Sequence, residues 1–313
     1  MTLVKNERKQ ARVAVFWPVD WIILSYCLIM ALAVVVLGRP LNPYTGELIF
    51  YCSTAVLIAL IVNFIDENQS RAWSFVRLLY PALLFTFLYR ATGGHMFLVT
   101  DHFLDDHVIA WETALFGQEP TLYLDRHFAN VWINEIMSFC YFAYYLMLPG
   151  FLVWAFVRRE SRIIRSYLAA ACITFFVSYL LFWLYPVEGP RWHLAAEYVN
   201  GIDGPLFTRV VKFVIERAAV HGGAMPSSHT GVAVVTLLFC FRYWRKAARW
   251  LLPVVVGLAL GTVWGRYHYV SDVVVGAAIG GGAVWLVRKY LEPDPAIVTT
   301  AKAPQFVRSF DAS

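Results

Sequence analysis

Two histidines and a carboxylate stand at the ends of apolar runs: His229 in MPSSHT (residues 225–230), and His268 and Asp272 in HYVSD (residues 268–272). Asp272 follows His268 by four, so a helix covering both puts carboxylate and imidazole on one face, within hydrogen-bonding reach. An imidazole held in this way has a fixed tautomer, and its other nitrogen is free to attack. His229 follows Pro226, Ser227 and Ser228, a helix start whose hydroxyls and unpaired N–H groups stabilise an anion. Arg191, in YPVEGPRW, carries a planar fork suited to phosphate oxygens, and Arg266 stands two residues before His268. The set contains a nucleophile, an orienter, a proton donor and an oxyanion cradle.

The elements that must position these residues lie in a membrane. The chain of 313 residues is 59% hydrophobic and 15% charged, with a mean hydropathy of +0.58, whereas a soluble domain is about 45–50% apolar and ~25% charged. Apolar runs long enough to cross the hydrocarbon as helices occur at 18–38, 47–64, 74–91, 131–157, 167–185, 226–243, 250–264 and 269–287. They predict an all-α polytopic bundle of about eight transmembrane helices. The first run is longer than the apolar region of a secretory signal and is read as a retained anchor. Residues 1–92 hold the N-terminal transmembrane helices, 93–130 an extracytoplasmic interfacial segment and 131–290 the catalytic core. Residues 291–313, with Pro293, Pro295 and Pro304, form a disordered cytoplasmic tail.

Lys and Arg collect on cytoplasmic loops. Lys5, Arg8, Lys9 and Arg12, the group Arg158, Arg159, Arg162 and Arg165, the group Arg242, Arg245, Lys246 and Arg249, and the pair Arg288 and Lys289 share one side under an eight-span count. Both termini are then cytoplasmic, and the histidines, Asp272, Arg191 and Arg266 reach the extracytoplasmic face. The net charge of +5 is spread over those loops, which speaks for topology and against nucleic acid as a partner. Residues 101–116 and 208–220 have the pattern of interfacial helices, the first with an acidic polar face and the second with a basic one. The five cysteines fall inside apolar runs without ligand spacing and are read as small core residues.

PSSHT followed by RYHYVSDVVVG resembles the second and third signature motifs of the type-2 phosphatidic acid phosphatase superfamily, and YPVEGPRW resembles the first. GPRW, RYHYVSD and ALFGQEPT (residues 114–121) are similar to the inositol phosphorylceramide synthase branch. The resemblance implies a six-helix-type phosphatase core and a lipid phosphatase or phosphotransferase, inositolphosphotransferase-like in that branch. It implies that His268 forms a phosphohistidine, Asp272 partners it, His229 protonates the leaving oxygen, and Arg191 with Ser227 holds the phosphoryl group. Ser228 stands where the motif has glycine, and Gly261 and Thr262 stand where it has Ser-Arg. The first motif lacks its usual lysine, and Arg266 needs a non-helical turn to share the site. The substrate implied is a phospholipid or other lipid phosphate, the acceptor is water or a lipid alcohol, and no cofactor or metal is called for. A non-catalytic lipid-binding or lipid-transport protein on the same scaffold is the alternative, which replacement of a triad member would favour.

Several residues have plainer readings. His102, Asp105, Asp106 and His107 are metal-ligand types, yet they fit the acidic face of an interfacial helix. His193 and His221 are expected on the surface. Arg77 and Glu135, inside apolar runs, are expected to pack or snorkel near the interface.

Overall fold

The computed structural model describes residues 15–38 and 45–292. The basic residues expected to anchor the N-terminus and the tail from residue 293 lie outside the described residues. The helices are α1 (Pro18–Leu37), α2 (Thr45–Phe64), α3 (Arg71–Thr92), α4 (Asp105–Phe116), α5 (Pro120–Phe128), α6 (Val131–Val157), α7 (Ser161–Leu184), α8 (Pro190–His193), α9 (Phe207–Ala218), α10 (Ser228–Tyr243), α11 (Arg245–Trp264) and α12 (Val270–Tyr290). The all-helical class follows from the solvent. A backbone in hydrocarbon must bond within itself, and a helix does so along its length.

Among the described residues, seven helices are long and apolar enough to cross a membrane: α1, α2, α3, α6, α7, α11 and α12. The sixth expected span, 226–243, is α10, and it has only 16 residues. At 1.5 Å per residue it covers roughly 24 Å, less than the ~30 Å of a hydrocarbon core. The helix starts inside the bundle, where its first residues Ser227 and Ser228 are buried. The seventh run also begins earlier than its apolar stretch, because Arg245 to Arg249 already belong to α11.

α7 is the hub. It packs against α1 and α3 on one side and α10 and α12 on the other, and it is the most buried of the long helices. Leu28, Val35, Phe64, Leu83, Leu146, Trp250 and Val274 point outward, as lipid-facing side chains should. Cys27, Cys172 and Cys240 are core residues, whereas Cys52 is exposed on α2.

Arg77 does not snorkel. It is 2% exposed, donates to both oxygens of Asp20 at 3.0 and 2.5 Å, and lies 3.7 Å over the Trp17 ring. Arg165 stacks on the same ring at 3.8 Å and pairs with Glu67 at 2.5 Å. A charge buried among apolar helices needs such a partner. Glu135 is likewise buried, and it accepts the N–H groups of Phe207 and Thr208 at 2.8 and 3.0 Å, which satisfies the start of α9.

The closest helix pair is α10 with α12, which carry the two halves of the site. A Cβ on Gly276 would lie 2.2 Å from the Ser227 carbonyl oxygen, and one on Gly280 would lie 2.2 Å from that of Gly231. Only glycine permits this approach. The Ser227 N–H closes the contact by donating to the Asp272 carbonyl at 2.9 Å. Gly282, on the same helix, faces open space. Gly276→Ala therefore costs about 1–3 kcal/mol through overpacking and reduces activity by separating the helices. Gly282→Ala leaves both unchanged or improves stability through helix propensity. Thermal unfolding and turnover of the two variants in detergent check this; equal behaviour would contradict it.

Candidate active site

Three loops meet above α10 and α12. Val187, in the loop after α7, accepts from Ala224 N–H at 3.0 Å and donates to the Gly222 carbonyl at 3.3 Å, a single parallel bridge. This joins the YPVEGPRW loop to the segment that leads into α10. The Ala224 carbonyl then accepts from His268 Nδ1 at 2.7 Å. A carbonyl can only accept, so Nδ1 carries the proton and Nε2 keeps its lone pair.

Asp272 holds His268 less directly than its spacing implies. Its Oδ2 lies 3.5 Å from His268 Nδ1 and accepts the Tyr269 N–H at 2.8 Å. The reason is local: α12 begins at Val270, so His268 precedes the helix and the i,i+4 geometry does not apply. The carboxylate closes the helix start and stands beside the imidazole, while the Ala224 carbonyl sets its orientation.

His229 occupies the first turn of α10. Its ring centroid is 5.8 Å from that of His268, its Nε2 meets the Tyr141 hydroxyl at 3.2 Å, and its buried Nδ1 has no partner among the described residues. Ser227 caps the helix by accepting from Thr230 N–H at 3.4 Å. Ser228 faces the same cavity as His229, and Ser227 does not.

That cavity, of about 310 Å³, is lined by His229, His268, Arg191 and Ser228 at one end. Its remaining walls are largely apolar or aromatic, with Phe85 of α3, Leu148 of α6, Phe175 of α7 and Ile215 of α9 among them. α3 and α6 both pack on α7, and the cavity lies where their side chains face each other. Arg191 makes no ion pair among the described residues; it lies beside Trp192, with 5.3 Å between guanidinium and ring.

Arg266 does not reach the site. Its φ of +63° supplies the expected non-helical turn, but the turn sends the guanidinium to Asp125 at 2.7 Å and the Asn200 carbonyl at 2.7 Å. It also lies 3.7 Å over Tyr198. Burial lowers its pKa and the Asp125 carboxylate raises it in opposition. Asp125 explains the choice: it also accepts the Val199 and Asn200 N–H groups, so Arg266 completes a buried loop anchor.

The acidic helix α4 departs from its sequence reading at two carboxylates, while Asp106 and His107 stay exposed. Asp105 and Glu112 face inward with Val108, while Trp111 and Leu115 face out. Both Asp105 oxygens are used: Oδ2 accepts from Glu188 N–H at 2.7 Å, and Oδ1 accepts from Gly189 N–H at 2.8 Å and the Tyr269 hydroxyl at 2.9 Å. Glu112 accepts from both the backbone N–H and the hydroxyl of Ser271, at 2.6 and 2.7 Å. A metal reading of Asp105 is thereby answered by its occupied oxygens. The i, i+3, i+7 spacing of Asp105, Val108 and Glu112 marked one helix face; nothing local showed that the face turns inward. His193 and His221 flank Glu188, at 3.8 and 2.7 Å, and His193 also meets Asp106 at 3.0 Å.

A family model described as PAP2 superfamily matches residues 106–286, more than half of the chain and including every residue of the cavity's polar end. The chain belongs to the PAP2 superfamily. No curated protein and no solved structure matches it. PAP2 membership supports a membrane phosphatase or phosphotransferase with lipid phosphates as the substrate class, and the cavity joins an end that carries Arg191, Glu188 and two imidazoles to largely apolar and aromatic walls.

Burial pushes the His268 imidazole down to about 4, against the upward pull of the Ala224 hydrogen bond. The group is thus neutral at pH 7 and stays so until the pH falls to about 4. Where neutral His268 is the attacking group, the acid limb of kcat/KM lies near pH 4. A pH profile checks this, and a limb at the ordinary imidazole value of about 6.5 would contradict it.

Proposed function

We propose that the protein transfers the phosphoryl or phospho-headgroup of a membrane lipid through a phosphohistidine on His268. The observation that carries this reading is that His229, His268 and Arg191 share one cavity whose walls include apolar side chains of the membrane-spanning helices α3, α6 and α7. A phosphate at the polar end leaves its apolar chain among Phe85, Leu148 and Phe175, in the direction of the bilayer.

In the reaction, the Nε2 lone pair of His268 attacks phosphorus as the bond to the leaving oxygen breaks. His229, protonated as the anionic phosphate binds beside it, gives that oxygen a proton. Arg191 and the N–H groups at the start of α10 balance the charge that gathers on the equatorial oxygens. Asp272, beside Nδ1, steadies the imidazolium. In the second half, His229 takes a proton from the incoming hydroxyl, which attacks phosphorus as the N–P bond breaks. Ser228, at the cavity, is better placed than Ser227 for a phosphate oxygen.

The acceptor is water in a phosphatase and a lipid hydroxyl in a transferase. Transfer in the manner of the inositol phosphorylceramide synthases requires that water be kept from the phosphohistidine, and the apolar side chains of Trp192 and of Ile215 on α9, which line the cavity, are compatible with it. The intact set of His229, His268, Asp272 and Arg191 weighs against a purely lipid-binding role. The basic loops at 158–165, 242–249 and 288–289 stand at the ends of helices remote from the site, which supports cytoplasmic termini and an extracytoplasmic active site.

Purified protein incubated with a panel of phospholipids, with and without a ceramide-like alcohol, and analysed by mass spectrometry tests the reading. The expected result is loss of one lipid and gain of either a dephosphorylated lipid or a headgroup-bearing product. His268→Ala should abolish it while the protein remains folded. Full turnover by folded His268→Ala would overturn the mechanism.

A further inference from the structure

One carboxylate outside the reacting set ties its two halves together. Asp105 lies at the first turn of α4, fully buried, just before the segment matched by the family model. Its partners are the N–H groups of Glu188 and Gly189, three and two residues ahead of Arg191, and the hydroxyl of Tyr269, the residue after His268. The neighbouring Leu104 N–H adds a bond to the Pro186 carbonyl at 2.9 Å. Gly189 has a φ of +97°, and a Cβ there would meet Ala224 and the Tyr267 carbonyl at 3.1 and 3.2 Å. The loop bearing Arg191 is therefore pressed against the loop bearing His268, and Asp105 bonds both.

We propose that Asp105 is a positioning residue that fixes the spacing between the Arg191 guanidinium and the His268 nucleophile. The proposal rests on the phosphoryl-transfer reading of the cavity. The physical reason is geometric. In an in-line displacement the phosphate oxygens must meet Arg191 while phosphorus lies in line with Nε2, and a shift of about 1 Å costs on the order of 10²-fold. Two loops that enter from different helices have no covalent reason to keep that spacing. A three-armed acceptor supplies it: a carboxylate accepts at both oxygens and has no proton to misdirect. Charge makes these bonds stronger than neutral ones. Asparagine has the same shape but presents N–H to one of the arms whichever way it is turned.

Such a residue acts on the transition state more than on the ground state, and two inorganic probes separate these. Orthovanadate adopts the five-coordinate geometry of the displacement, and inorganic phosphate reports simple anion binding. Their affinities for the full chain in detergent are measured by calorimetry for wild type, Asp105→Asn, Tyr269→Phe and His268→Ala. Asp105→Asn is expected to lose vanadate affinity by about 10²-fold and phosphate affinity by less than about threefold. Tyr269→Phe, which removes one arm, is expected to lose roughly tenfold for vanadate alone. Equal loss for both probes, or wild-type vanadate affinity in a folded variant, overturns the positioning role. If Asp105→Asn does not fold, Tyr269→Phe decides by the same criterion. Wild type that binds neither probe would sink the phosphoryl-site reading and this proposal with it. Vanadate binding that is lost in His268→Ala but unchanged in both other variants would sink the positioning role alone.

Discussion

Everything at the site depends on backbone touching backbone between α10 and α12. Glycines 231, 276 and 280 leave no side chain between the helices, and the Ser227 N–H reaches the Asp272 carbonyl across the gap. That contact places His229, on one helix, beside His268, just before the other. The start of α10 is buried, and Ser228 and His229 there face a cavity inside the bundle.

The second constraint is the scarcity of water near those loops. Irregular backbone close to a bilayer must find acceptors and donors in the protein, and here buried carboxylates supply them. Asp105 serves the Arg191 loop, Asp125 the 199–200 loop, Glu135 the start of α9, Glu112 and Asp272 the start of α12. Part of a segment that looks acidic and solvated by composition is thus interior: Asp105 and Glu112 are buried, while Asp106 stays exposed. Two of its apolar residues, Trp111 and Leu115, are turned outward.

This explains what was legible in the sequence. The helices followed from runs of apolar residues, and His229, His268 and Arg191 were singled out from motifs by their residue types and order. These three side chains line one cavity. Arg266 was not placed correctly, because its partner Asp125 is 141 residues away and a unique long-range ion pair leaves no periodic trace. Asp105 was weighed as a metal ligand or a wetted side chain for the same reason: its three partners lie 83, 84 and 164 residues ahead. Arg77 was expected to pack or snorkel near the interface, and its ion pair was not foreseen because its counterion, Asp20, sits on a different helix. Local pattern reports which face of a helix is apolar, but what that face meets is decided by the tertiary fold.

The central claim is that His268 becomes covalently phosphorylated, and trapping that intermediate tests it most directly. Protein mixed with a turned-over lipid labelled at phosphorus, quenched in alkali within a fraction of a turnover and digested, should yield one labelled peptide. Tandem mass spectrometry should place the phosphoryl group on His268, acid should release it, and His268→Ala should show none. Label on His229 instead, or rapid turnover with no trapped histidine adduct under conditions where a phosphohistidine standard survives, would contradict it.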